Sequence, residues 1–370
     1  MKELKLLIVE DDPEQKKSYE RSINAYNLDS NVKINPTFEA DKESALKSLE
    51  NVESSFDAAI VDLKLDENGK ADQNYSGNEV LKKIKGNLRF PVFVITGTPQ
   101  HIDDDLKEES SLFKIRTRGE DDNYLEQLVN IYNTGVTNIL GKKGEIEKYL
   151  NDIFWKHLSN SVDVWVNDTS RNPLQKEKSL LRYTLLHIQE YLELTEEYNF
   201  ESYHPAETYI TPPVKPNIFT GDIVKENSSN KKFIVLTPSC DLAQQKAKDI
   251  LLVLIEENTQ GIISEKKNII KKNKARPEVI NEAKNTLEKL LQNSYSNKYH
   301  FLPKYNSIEG GLINFQKVKS IKRGDFESDF SRIASLNSQF TKDVVARFSY
   351  YYSRQGSPDF KTEELKNMLF

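Results

Sequence analysis

Short apolar runs alternate with amphipathic stretches through the first third of the chain. Leu4–Val9, Ile34–Phe38, the run around Ile60, Val92–Ile95 and Leu112–Ile115 have the length and composition of strands buried on both faces. Between them the apolar positions fall at helical spacing. Ala45, Leu46 and Leu49 make one stripe, Val80, Leu81 and Ile84 after Gly77 a second, and Tyr124, Leu125, Leu128, Val129 and Tyr132 a third. Asp12 caps a further helix, with Pro13 in the first turn where a missing N–H costs nothing. Strand alternating with helix predicts an α/β fold, a doubly wound five-stranded parallel sheet over residues 1–135.

Three of the predicted strands end on oxygen-bearing side chains. FDAAIVDLKL closes on Asp62, LKLLIV runs into Glu10, Asp11 and Asp12, and PVFVI meets Thr96, Gly97 and Thr98. In an open α/β sheet, chemistry sits beyond the carboxyl ends of the strands, so these groups are expected on one rim. Asp12 is read as a helix cap and Thr98, before Pro99, as turn chemistry. Glu10, Asp11 and Asp62 remain, and three crowded carboxylates repel one another without a cation.

LLIVEDDP, AAIVDLKL, SGNEVLKKIK and VFVITGTP, in that order, resemble the receiver domain of two-component response regulators, a flavodoxin-like fold, over about the first third of the chain. The resemblance implies that Asp62 is the phosphoacceptor and that Glu10, Asp11, Asp62 and the backbone carbonyl of Lys64 hold Mg2+. It further implies that Thr96 is the switch hydroxyl and Lys114 the phosphate-pairing lysine. A carboxylate nucleophile beside a hard divalent cation suits phosphoryl transfer. The chain departs from the family pattern in a longer stretch between Asp62 and Gly77, with Asp66 where a proline is common. It departs again in Ile115, which follows Lys114 in place of the usual proline.

After Gly135 the alternation stops. Ile146, Tyr149, Leu150, Ile153, Phe154 and His157 lie at helical spacing, and Leu180–Leu194 forms a second amphipathic helix. Residues 136–204 are therefore read as a helical connector, a dimerisation or relay element, with His157 and His187 as boundary histidines rather than metal ligands. Pro205, Pro212, Pro213 and Pro216 break helices and mark a boundary. The region 205–370 then turns β-rich: GDIV, NSSNKK, FIVLTPSCDL and DILLVLIEE give strand, turn, strand and strand, as in a small barrel-like domain. This pattern is similar to small-barrel toxin domains of the PemK type and to C-terminal domains attached to receivers in bacterial defence operons.

Within this region 264–293 is expected as a helical insertion with a basic first half. No aromatic residue interleaves with its lysines, so a solvated face is the reading and nucleic acid is not indicated. Strands return at Tyr299–Leu302 and Leu312–Val318, before a closing helix over Arg332–Gly356, rich in apolar and tyrosine positions. Cys240 beside Asp241 is read as an inert thiol, because nothing in the spacing brings His204 or His300 to it as a base. Arg347 and Arg354, with Tyr350 and Tyr351 between them, are read as packing residues, and the catalytic residues of the C-terminal domain stay unassigned.

A length of 370 residues exceeds one typical domain, consistent with this division. A single cysteine excludes an intrachain disulfide and a cysteine-rich zinc site. The formal net charge of −5 provides no global attraction to nucleic acid or an anionic membrane, and no apolar stretch approaches the roughly 20 residues of a membrane helix. The expected location is the cytoplasm, of a bacterium. The function expected is that of a response regulator in a phosphorelay, taking a phosphoryl group from a sensor histidine kinase onto Asp62 and relaying the signal to the C-terminal output, with a homodimer left open. Catalysis is expected only as receiver self-phosphorylation and dephosphorylation. Two alternatives stand: a phosphate sink buffering a kinase in a bacterial, anti-phage type of signalling system, and a receiver-switched effector enzyme such as a nuclease or hydrolase.

Overall fold

Alternate residues of one strand serve two different cores. Leu6, Ile8, Ala58, Ile60, Phe93 and Ile95 pack on one face of the first sheet, while Leu7, Val9, Ala59, Val61 and Val94 pack on the other. A strand that buries both faces must read as a continuous apolar run, which is how these segments appear. The computed structural model describes residues 2–51, 55–66, 74–120, 123–193, 202–272, 276–354 and 359–370. The chain divides into two compact units, Met1–Phe200 and Glu201–Phe370.

The first unit begins with β1 (Lys2–Val9), α1 (Pro13–Asp29), β2 (Val32–Glu39), α2 (Lys42–Glu50), β3 (Ala58–Val61), α3 (Gly77–Asn87), β4 (Val92–Thr96), β5 (Phe113–Thr117) and α4 (Tyr124–Asn133). The five strands are parallel, in the order β2-β1-β3-β4-β5, the flavodoxin-like order of a doubly wound sheet. Capping sets where the helices start: Asp12 accepts the N–H of Glu14 at 2.8 Å, and Asp41 accepts that of Ser44 at 2.7 Å.

The connection from β4 to β5 carries no α-helix. Two short 3-10 turns, Pro99–His101 and Asp104–Leu106, cover the sheet through buried Ile102 and Leu106. Asn78 of α3 pins this connection by donating to His101 O at 3.1 Å and accepting from Asp103 N at 3.1 Å. Lys82 adds ion pairs to Asp103 and Asp105.

Helices continue with α5 (Val136–Leu140), α6 (Glu145–Asp152), a π-helical turn at Ile153–Leu158, α7 (Val162–Val166) and α8 (Pro173–Glu193). They belong to the first unit, and Leu194 of the expected second helix lies outside the described residues. Aromatic contacts join α8 to the preceding segments: Tyr191 stacks on Tyr149, Tyr183 meets Trp165 edge-on, and His157 contacts His187. His157 Nε2 lies 3.0 Å from the Tyr191 hydroxyl.

The second unit comprises β6 (Tyr209–Ile210), β7 (Asp222–Glu226), β8 (Lys232–Val235), α9 (Ser239–Ala243), β9 (Asp249–Glu257), α10 (Gly261–Lys272), α11 (Pro277–Leu291), β10 (Tyr299–Leu302), β11 (Gly311–Lys322), α12 (Arg323–Asp329), β12 (Phe330–Leu336), α13 (Ser338–Ser353) and α14 (Thr362–Leu369). Its seven strands form an antiparallel sheet in the order β10-β11-β9-β8-β7-β12-β6, and α10 with α11 forms the expected helical insertion. A closed barrel needs a pairing between the outer strands; none between β6 and β10 occurs among the described residues. No helix among the described residues is long and apolar enough to cross a membrane.

Candidate functional site

Asp62 follows β3 directly, and its backbone N–H donates to Val9 O at 3.0 Å, which ties it to the end of β1. Glu10 follows β1 in turn, held by a 3.0 Å bond from its N–H to Glu39 O. The two carboxylates are thus fixed by sheet register, and both are buried, at 1% exposure for Glu10 and 5% for Asp62. With half-buried Asp11 they form a group whose nearest ligand oxygens all lie within 4.8 Å of one another.

Crowding and burial raise proton affinity here. Burial, then the neighbouring Asp62 carboxylate, pushes the Glu10 carboxyl up to about 7, against the opposing pull of Arg118. Burial also holds the Asp11 carboxyl above the ordinary range, partly offset by the backbone N–H of Asp66. Oxygen-only donors crowded at this spacing suit a hard divalent cation such as Mg2+.

Arg118 enters the group from the end of β5. Its Nη2 donates to Glu10 Oε2 at 2.7 Å and to Asp62 Oδ2 at 2.8 Å, while its backbone N–H donates to Thr96 O at 2.8 Å. Its buried Nε has no hydrogen-bond partner among the described residues. The other carboxylate oxygen of Asp62 accepts the N–H of Leu63 at 2.8 Å. Thr96 is fully buried as the last residue of β4, and its hydroxyl accepts the N–H of Thr98 at 3.2 Å.

Gly77 lets α3 approach this loop. A Cβ at that position would stand 2.1 Å from the Asp62 carbonyl oxygen and 2.8 Å from Leu63 Cα, and the Gly77 N–H donates to Leu63 O at 3.0 Å. Lys64 pairs its ammonium with Asp66 at 3.4 Å. Residues 67–73 of the long stretch before Gly77 lie outside the described residues.

Lys114 is the one expected side chain that the structure does not bring to this rim. It pairs with Phe93 near the start of the β4–β5 ladder, away from its carboxyl end; its ammonium bonds Gln127 of α4 and lies 5.3 Å from the Phe93 ring centre. The strand continues two residues beyond the expected end at Ile115, so the basic group at its carboxyl end is Arg118. Thr117 before it and Gly119 after it, the latter at φ +90°, were the signals available in the sequence for a later strand end and turn.

In the second unit, several polar side chains pair with one another. Buried Asp222 accepts from Ser335 at 2.6 Å and pairs with Arg332 at 3.3 Å, and Glu256 pairs with Asn314 and Lys317. Cys240 is exposed, with its thiol 3.7 Å from Asp241, whereas His300 is buried 3.6 Å from Asp343. Arg347 donates to Asn293 O, and Arg354 lies over the Tyr351 ring. His204 accepts the Ala206 N–H as a cap at Pro205–Thr208.

No protein-family model matches the chain, and no curated protein is similar to it in sequence. Among solved structures, the first third is similar in fold to receiver domains. One is the N-terminal domain of a response regulator/sensory box/GGDEF three-domain protein from Carboxydothermus hydrogenoformans, at 19% identity and TM-score 0.27, covering 36% of this chain and 98% of that one. Another is the phosphorylated cyanobacterial phytochrome response regulator RcpA, at 23% identity and TM-score 0.24, covering 36% and 93%. A third similar structure is MazE-MazF from Deinococcus radiodurans, at 10% identity and TM-score 0.24, covering 38% and 100%.

Proposed function

We propose that the N-terminal unit is a phosphoacceptor receiver whose nucleophile is Asp62. The observation that carries this reading is the buried Asp62 carboxylate at the end of β3, grouped with Glu10 and Asp11 on the neighbouring strand end. A carboxylate oxygen attacks phosphorus in a phosphohistidine of a sensor kinase. The new O–P bond gives an acyl phosphate, and the N–P electron pair returns to the imidazole.

Glu10, Asp11, Asp62 and the Lys64 carbonyl would hold Mg2+, which supplies positive charge to the phosphoryl oxygens. Arg118 releases Asp62 Oδ2 and pairs instead with the incoming phosphoryl group, the role expected of Lys114. The buried Thr96 hydroxyl, on the strand next to β5, accepts or donates a hydrogen bond as that group arrives. The C-terminal unit is the output of this exchange.

Incubation of the full chain with Mg2+ and acetyl phosphate should add one phosphoryl group, labile to base as acyl phosphates are. Asp62→Asn should abolish labelling, because an amide is not a comparable nucleophile. A wild-type chain that stays unlabelled with a histidine kinase as well would sink the reading. Relay and sink are separated by hydrogen exchange on the labelled protein: altered protection in α6 to α8 supports relay, and change confined to residues before Gly135 supports a sink.

A further inference from the structure

The helix α8 carries two opposed apolar faces, and its own unit uses one of them. Ser179, Tyr183, His187 and Tyr191, at four-residue steps, are half-buried and turn toward Trp165, His157 and Tyr149. On the other side, Leu174, Leu181, Leu185 and Leu192 are 56–65% exposed. At 100° per residue this second stripe lies opposite the first.

The spacing of the exposed stripe suits a second helix packed along it. The four exposed leucines, with exposed Lys178 and half-buried Ile188 between them, follow steps of four, three, four, three and four residues, about two and a half heptads with the spacing of a coiled-coil seam. The flanking charges identify which helix. With Leu181 and Leu185 as d and a, Glu177 falls at g and Arg182 at the e position five residues later. In a parallel, in-register pair, g of one helix meets that following e of the other, so Glu177 faces Arg182 of a second copy, twice by symmetry. Lys178 takes the single polar a position, a feature that sets register at a cost in stability.

We propose that α8 is the dimerisation helix of this protein, forming a parallel two-stranded coiled coil with α8 of a second copy. The inference is independent of the phosphoryl-transfer reading, because it rests on a helix face and not on the acidic rim. Sedimentation analysis of the full-length chain at micromolar concentration should give a dimer. Leu181→Asp combined with Leu185→Asp should give a monomer with unchanged helical circular dichroism. Glu177→Arg and Arg182→Glu should each weaken the dimer about tenfold by turning two attractive pairs repulsive, and their combination should recover it. Lys178→Leu should tighten it. A monomeric wild type, or a dimer indifferent to the double aspartate variant, would overturn the proposal and assign the seam to another segment of the chain. Failure of the combined charge reversal to recover the dimer would overturn the parallel register.

Discussion

Arg118 Nη2 stands 2.8 Å from Asp62 Oδ2 and, through the same nitrogen, 2.7 Å from Glu10 Oε2. One guanidinium from the end of β5 therefore bridges the ends of β1 and β3, the place where a cation shared by both carboxylates would bind. Without it the two buried acids face each other uncompensated.

Removing that bridge should have opposite effects on stability and on metal affinity. Arg118→Gln is expected to lower metal-free stability by about 2 kcal/mol, below the roughly 3–5 kcal/mol for breaking a fully buried ion pair because the Arg118 side chain is partly exposed, while tightening Mg2+ binding because a competing cation is gone. Lys114→Gln, at a side chain bonded to Gln127, should leave Mg2+ affinity unchanged. Isothermal titration with Mg2+ and urea unfolding on both variants check this; equal affinities for Arg118→Gln and wild type would remove Arg118 from competition.

Asp11→Asn should do the reverse for the metal. Mg2+ binding weakens through loss of a ligand, and metal-free thermal stability rises through relief of repulsion with Asp62. A variant that binds Mg2+ as well as wild type would strike Asp11 from the ligand set.

Gly77→Ala tests the close approach of α3. The added methyl would overlap the Asp62 carbonyl oxygen, so the loop must shift, at a cost of about 1–3 kcal/mol. Labelling of Asp62 by acetyl phosphate should fall sharply while the strands of the first unit keep their hydrogen-exchange protection. Labelling at the wild-type rate would show that the approach is not needed for reactivity.

His300 gives the second unit a pH dependence. Burial, reinforced by Arg347 and only partly opposed by Asp343, lowers its imidazole from 6.5 to about 4. The unfolded chain then binds the proton first as pH falls, so the contribution is full above about 6.5 and is lost progressively down to about 4, on the order of 3 kcal/mol in total. Pulse proteolysis in urea across that range should show a falling midpoint for the second unit, with a shallower fall in His300→Gln. Parallel curves for the two proteins would refute a buried neutral imidazole.

Much of the first unit was legible before any fold was known. Apolar runs closing on Glu10, Asp11, Asp62 and Thr96 report strand ends directly, since the stretch of a strand that is buried on both faces, such as Leu6–Val9 or Ala58–Val61, is apolar throughout and polar groups return where it leaves the sheet. Lys114 and Arg118 show where that reasoning stops. FKIRTR carries basic residues at Lys114, Arg116 and Arg118, and each of them suits a rim; the β4–β5 ladder decides by pairing Phe93 with Lys114 and Thr96 with Thr117, which leaves Arg118 just beyond the strand end.

The second unit was legible in part: the strands β7 to β11 and the helical insertion follow from pattern, whereas Arg332–Leu336, expected as the start of the closing helix, pairs with β7 and β6 as part of β12, and β6 was not legible at all. Its sheet places β12 between β7 and β6 and β11 between β10 and β9, neighbours that no local pattern names. Likewise, Asp222 meets Ser335 and Arg332 across more than a hundred residues.

By itself, the sequence determined the α/β character of the first unit, the acidic rim, and the amphipathic character of the helix at Leu180–Leu194, because each depends on residue type and short-range periodicity. Only the tertiary structure decided that Arg118 and not Lys114 holds Asp62, that two 3-10 turns connect β4 to β5, and that the leucine stripe of α8 faces outward. Those outcomes depend on which distant segments pair and in what register, and pairing free energy is shared among contacts that no single stretch of chain contains.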